Sequence, residues 1–211
     1  MTDGRRKARL EEMFTWEIAT AMAEVPLCYL PVGTLEWHGE HAAVGLDALK
    51  AHAVCIRAAD RSGGLVAPLY WSIAHNIAAI RETGEVFRRR HPTSGWLLLT
   101  DQEVVPDLHY PVEHAAGGET SLLLAIRPDL VTLDKVFETD RSLLPYYAKE
   151  PAHLQRRRET PNKYIGVNPA VTDSSNDPER ATIERGRVLL EAIVERVAAR
   201  AQALLVESMS H

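Results

Sequence analysis

The feature that most constrains this chain is the passage from an apolar run into a polar, glycine-punctuated stretch near the N-terminus. The run Leu27-Cys28-Tyr29-Leu30-Pro31-Val32 has the length and content of a buried strand, and Gly33-Thr34 marks a turn at its end. Directly after it come Glu36, His38, Glu40 and His41, then Gly45-Leu46-Asp47 at the start of a helical pattern over 46–61. Ser62-Gly63-Gly64 closes that helix and Leu65 to Leu69 reads as the next strand. A strand, a long amphipathic helix and a second strand make a βαβ unit, in which the polar stretch lies at the carboxyl end of the first strand.

The rest of the chain continues the alternation. Trp16 to Glu24 reads as a short helix, and the helical segment 46–61 carries Leu49, Ala53, Ile56 and Ala59 toward one side. Ile77 to Arg90 is helical in period, Gly95 follows as a break, and Trp96 to Thr100 has the composition of another buried strand. Residues 119–127 predict a helix with Glu119 at its start, followed by a less regular stretch from Pro128 to Val136. From Asp140 to Asp177 the chain is rich in Pro, Asn, Ser and charge, and reads as a long loop. Asp177-Pro178 predicts the cap and first turn of a last helix reaching about Val206. At 211 residues one core suffices, so residues 1–211 are expected to form a single α/β domain.

Composition narrows the function. No apolar run reaches the ~20 residues of a membrane span, and the N-terminal segment lacks the apolar stretch of a secretory signal, so a cytoplasmic protein is expected. A net charge of −5, with basic residues clustered only at Arg88 to Arg90 and Arg156 to Arg158, gives no footprint for nucleic acid. The two cysteines, Cys28 and Cys55, lie in apolar segments that read as core, which excludes a disulfide framework and a thiolate metal cluster. Any metal must be held by histidine and carboxylate.

Two clusters have the residue types for that. In an extended segment Glu36 and His38 point to the same side, and Asp47 on the next helix start closes a pocket beside them; Zn²⁺ and Mn²⁺ accept this mixture of donors. E-x-H is short, however, and a solvated surface loop has the same composition. The second cluster is His114-Ala-Ala-Gly-Gly-Glu119-Thr-Ser121. There Glu119 reads either as a functional carboxylate or as a helix-start residue, and His114 either as a catalytic or as an ordinary loop histidine.

Residues 31–47, PVGTLEWHGEHAAVGLD, resemble the creatininase family pattern P-V-G-S-x-E-Q-H-G-x-H-L-P-L-x-T-D, and residues 114–121 resemble its H-A-G-x-x-E-T-S block. NDPERATIERGRVLLEAI is similar to the family's G-D-P-x-x-A-T-x-E-K-G segment, and GWLLLTDQEVVPD to the strand before the H-A-G block. The resemblance spans roughly residues 15–205. It implies a three-layer αβα sandwich with a mostly parallel sheet, assembled as a homo-oligomer, a hexamer in the family. It also implies a metal-dependent amidohydrolase that cleaves a C–N bond of a small cyclic or linear amide with a metal-activated water.

Matched residue by residue, the resemblance makes Glu36, His38, Asp47 and Glu119 ligands of one or two divalent ions, Zn²⁺ or Mn²⁺. It places His41 in the substrate pocket, with Trp37 in the pocket wall where the family has Gln, and His114 beside the reacting amide. One departure stands out: the family's G-H-G-G-N motif, whose histidine binds metal, and a β-α unit around it are missing. The segment APLYWSIAHNIAAIRETGEVFRRRHP joins what normally flanks that unit, so His75 is a candidate replacement ligand. The same deletion supports an alternative, a non-catalytic relative that keeps the family surface and has lost turnover.

Overall fold

The computed structural model describes residues 7–72, 77–108, 115–137 and 178–210. In chain order these form α1 (Thr15–Glu24), β1 (Cys28–Tyr29), β2 (Val32–Thr34), α2 (Leu46–Ser62), β3 (Leu65–Val66), β4 (Tyr70–Ser72), α3 (Ile77–Arg90), α4 (Asp101–Val104), α5 (Gly117–Ile126) and α6 (Ile183–Met209). Tight 3-10 turns at Leu10–Glu12, Pro128–Leu130, Leu133–Phe137 and Pro178–Arg180 join them. The α/β class with parallel pairing, expected from the sequence, is present.

The βαβ unit is built as β1 beside β3 and β2 beside β4, both parallel, with α2 as the crossover. The register slips between the two halves: Tyr29 faces Val66, but Val32 faces Tyr70, so the second strand carries one more residue than the first. This is a bulge, and it falls where Pro31 and Pro68 have no N–H to give to a ladder. The Ala67 N–H still donates to the Tyr29 carbonyl at 2.8 Å, and the Tyr70 N–H resumes with the Pro31 carbonyl at 3.0 Å. On the far side of β3, Arg9 bridges Val66.

One face of this sheet packs on α2 and α6. Tyr29 and Val66 meet Ala58 and Ala59 of α2 and Ala198 and Ala201 of α6, where small side chains let helix and strand backbones approach. A second cluster joins α2, α4, α5 and α6 through Val54, Val104, Val105, Leu122, Leu189, Leu190, Ile193 and Val194. Gly186 makes the α5–α6 crossing feasible, since a Cβ there would lie 1.8 Å from the Ser121 carbonyl oxygen. Ser121 also fastens the two helices, its hydroxyl donating to the Gly117 carbonyl and accepting the Thr182 N–H.

Several expectations are corrected. Trp96 to Thr100 is neither a strand nor buried: it is irregular, and Leu97 is 44% exposed. Thr100 instead exchanges hydrogen bonds with Glu103 as a capping box, which turns the chain into α4. The last helix is capped by Thr182, whose hydroxyl accepts the Arg185 N–H, while Pro178 opens a 3-10 turn ahead of it. On α2 the fully buried stripe is Leu46, Ala48, Lys50, Val54, Ala58 and Ala59; of the four residues expected on one side, Ala59 belongs to it, while Leu49 and Ile56 are partly buried against the core. Cys28 is exposed rather than core, because strand alternation turns Tyr29 inward instead. The loop expected over 140–177 lies outside the described residues. No described helix is long and apolar enough to cross a membrane.

Candidate metal centre

Beyond β2 the chain forms a loop that α2 and α5 hold from both sides. Gly33 is what allows α2 to start against the strand: a Cβ on it would stand 2.2 Å from the Ala48 backbone and 2.5 Å from the Asp47 carbonyl carbon. Within the loop the Glu36 N–H donates to the Val44 carbonyl, and Gly39 takes a φ of 86°, which favours glycine. The loop's far side is stitched to the chain after α5, where Ala42 bridges Val131 and the Thr132 N–H donates to the His41 carbonyl.

This scaffold buries a polar group. Glu36 is 6% exposed, His38 0% and His41 1%. One donor atom each of Glu36, His38 and Asp47 lies within 4.8 Å of the other two. The His38 Nδ1 is 3.0 Å from the Glu36 carbonyl oxygen, which can only accept, so Nδ1 carries the hydrogen and Nε2 is turned inward. There Nε2 stands 3.5 Å from Asp47 Oδ1 and 3.7 Å from Glu119 Oε2. These are longer than a good hydrogen bond, and close to the ~3.4 Å that separates ligand atoms around a tetrahedral ion with ~2.1 Å bonds.

A bare ring nitrogen against two carboxylates is repulsive unless positive charge is added. Either the ring takes a proton or a cation sits between the groups. Burial lowers the His38 pKa, but the Asp47 and Glu119 carboxylates overcome it and hold the ring above the ordinary histidine range. The donor set, one imidazole nitrogen and carboxylate oxygens, is the set that divalent zinc or manganese accepts. The chemistry of the residues therefore fits such an ion.

Two further groups surround the three. His41 Nε2 is 3.1 Å from the Thr120 hydroxyl at the start of α5, and burial, with the neighbouring His38, pushes its pKa down to about 4. Lys50 is 7% exposed and reaches under the site. Its Nζ lies 2.6 Å from Asp101 Oδ2, 2.9 Å from Glu119 Oε1 and 3.5 Å from Asp47 Oδ1. Burial opposes its charge, yet the carboxylates of Asp101, Glu119 and Asp47 hold its pKa well above the ordinary lysine value.

The structure thus brings together Glu36, His38 and Asp47 as the sequence pattern suggests, with His41 and Trp37 also buried beside them in the same loop. Glu119 is adjacent but engaged elsewhere: one oxygen takes the Lys50 ammonium and the other accepts the Ala115 N–H at 2.8 Å. Ala115, at φ 54°, makes the left-handed turn that aims this N–H at the carboxylate. His114 and His75 lie outside the described residues.

Lys50, Asp101 and Thr120 were not singled out from the sequence. The only trace of the first is the Asp47-x-x-Lys50 spacing on α2, which reads equally as an ordinary i,i+3 surface pair.

Fold and site together define an α/β protein with a buried histidine–carboxylate group suited to a divalent cation, placed at the carboxyl end of a parallel strand. The family model described as creatinine amidohydrolase matches residues 11–75 and 72–201, so the chain belongs to the creatininase family. The two segments meet where the sequence departs from the family pattern. A creatinine amidohydrolase of Pseudomonas putida is 25% identical over 258 residues, covering 87% of this chain and 92% of that protein. That alignment is longer than the 211-residue chain, so the relative carries positions this chain lacks. Among solved structures, a Mn creatininase is similar with a TM-score of 0.62 and 23% identity, over 92% of this chain and 97% of that one. A mutant creatininase of Zn-Zn type is similar with a TM-score of 0.60 and 22% identity, over 92% and 96%.

Proposed function

We propose that this chain is a metal-dependent amidohydrolase acting on the C–N bond of a small cyclic or linear amide. The observation that carries the reading is the inward-facing His38 Nε2, fixed by its Nδ1 contact to the Glu36 carbonyl and set against Asp47 within one buried group. Glu36, His38 and Asp47 would hold the divalent ion, zinc or manganese. When bound, that ion supplies Lewis-acid polarisation of an amide carbonyl and makes water a usable nucleophile near neutral pH.

The protein's own residues prepare the site for this. The Glu36 carbonyl fixes the His38 tautomer, so the neutral ring turns its Nε2 lone pair, where a metal would take the place of a proton, toward the carboxylates. His41, with its pKa near 4, stays uncharged at neutral pH and adds no repulsion toward a cation. Trp37, 3% exposed, and the buried Ala42 belong to the same loop and would keep bulk water from the group. His114, next to the Ala115 that anchors Glu119, is assigned the delivery of a proton to the leaving nitrogen.

The test is metal content and hydrolysis of a panel of small lactams and linear amides by the full chain, beside two variants. Asp47→Ala is expected to lose both metal and hydrolysis, and His114→Ala to keep metal and lose at least about a hundredfold in turnover. A chain that binds metal but hydrolyses no member of the panel would favour the non-catalytic alternative. Unchanged metal content in Asp47→Ala would remove the proposed ligand set.

A further inference from the structure

Resting on the metal-binding reading above, we propose that the Lys50 ammonium is a built-in cation that restricts this centre to a single divalent ion per chain.

Among the described residues four carboxylates converge here, Glu36, Asp47, Asp101 and Glu119, and they divide into two sets. Glu36 and Asp47 join His38 in a group whose donor atoms lie within 4.8 Å of one another. Asp101 and Glu119 face Lys50 Nζ at 2.6 and 2.9 Å, and Asp47 Oδ1, 3.5 Å from Nζ and 3.5 Å from His38 Nε2, stands between the sets. A second ion bridging from Asp47 toward Glu119 would need the volume that Nζ fills, since metal–oxygen bonds of ~2.1 Å demand the centre of such a ring of oxygens. Charge shows what removing the ammonium does: against the four carboxylates of the described residues, two ions with the ammonium set five positive charges, whereas two ions without it set four.

The position of Lys50 within the fold makes this a property of the chain and not of a mobile surface side chain. It rises from the buried stripe of α2, one turn after Asp47, and its side chain is 9% exposed. Its partners come from two other elements, Asp101 from the first turn of α4 and Glu119 from the first turn of α5. Glu119 is further held by the Ala115 N–H, so it is oriented toward Lys50 by the backbone as well as by charge.

The experiment is a zinc titration of the full chain by calorimetry, with elemental analysis after removal of excess metal, on wild type, Lys50→Gln and Lys50→Arg. The expected stoichiometries are one zinc per chain in wild type, two in Lys50→Gln and one in Lys50→Arg, which keeps the charge. Circular dichroism checks that each variant is folded, and if Lys50→Gln is not, Lys50→Met takes its place with the same expected two zinc ions; two zinc ions in wild type overturn the proposal while leaving the metal site intact. A folded Lys50→Gln that stays at one zinc also overturns it. No zinc in wild type overturns the metal-binding reading itself, and this inference with it.

Discussion

The loop and helix start at 33–50 and the segment at 96–104 both carry hydrophobic runs and acidic residues, yet they end in opposite states. In the first, Gly33 admits the α2 backbone against β2, and Glu36, His38, His41 and Lys50 are all buried. In the second, a run with strand composition stays irregular, Leu97 is 44% exposed, and only Val104 at the end of α4 enters the core fully. The difference is one of partners. Apolar residues become a strand only when a neighbouring strand offers a ladder, and in the first region β4 does so for β2 through a parallel register beginning at Val32 and Tyr70.

Substitutions that attack the close contacts of the first region break this comparison most directly. Gly33→Val, whose Cβ would collide with the Ala48 backbone at 2.2 Å, is expected to cost about 4 kcal/mol or more, read from denaturant unfolding. A loss near that of an exposed substitution would mean that α2 does not rest on β2. Next comes Lys50→Ala, which leaves buried carboxylates without their ammonium and should cost about 3 kcal/mol in metal-free buffer. Part of that loss should return on adding zinc, and a melting temperature indifferent to both changes would place the lysine in solvent.

Smaller effects sharpen the contrast. Leu97→Ser should change stability by no more than about 0.5 kcal/mol, as befits an exposed side chain; a cost of several times that would show the run packed as the strand its composition suggests. The cysteines provide a milder probe of the same layering. Cys55 on α2 is partly buried and burial pushes its thiol up to about 12, whereas Cys28 on β1 is exposed and its thiol, also raised by burial, is shifted less. Because only the thiolate reacts, alkylation at pH 8 should modify Cys28 and spare Cys55 until the protein unfolds, and Cys55 should gain reactivity as pH rises. Equal rates at pH 8, followed by mass spectrometry, would contradict that layering.

What was legible in the sequence is what is local. Glu36 and His38 lie in the short loop just after β2 and Asp47 at the helix start that follows it, so their convergence needs only neighbouring stretches of chain. The bounds of α3, Ile77–Arg90, follow from period alone. Lys50 was not legible because its meaning comes from Asp101 and Glu119, far along the chain, and a lone lysine three residues after an aspartate looks like a surface pair. The start of α6 was misplaced because two good signals compete, Asp177-Pro178 and Thr182, and the hydroxyl that captures the Arg185 N–H is the one that caps the helix. The Trp96 to Thr100 run failed as a strand because its flank, Thr100 with Glu103, specifies a helix N-terminus more strongly than its apolar residues specify a ladder.

The lysine under the site also bears on the order in which the molecule can be assembled. A cation carried on the polypeptide is present from the moment of synthesis and does not depend on the supply of ions around it, unlike a metal whose stabilisation scales with free concentration. With Lys50 already neutralising part of the charge of Asp47, Asp101 and Glu119, α2, α4 and α5 can close on one another before any ion arrives. Loading then becomes the last step of maturation, taken by a chain that is already folded.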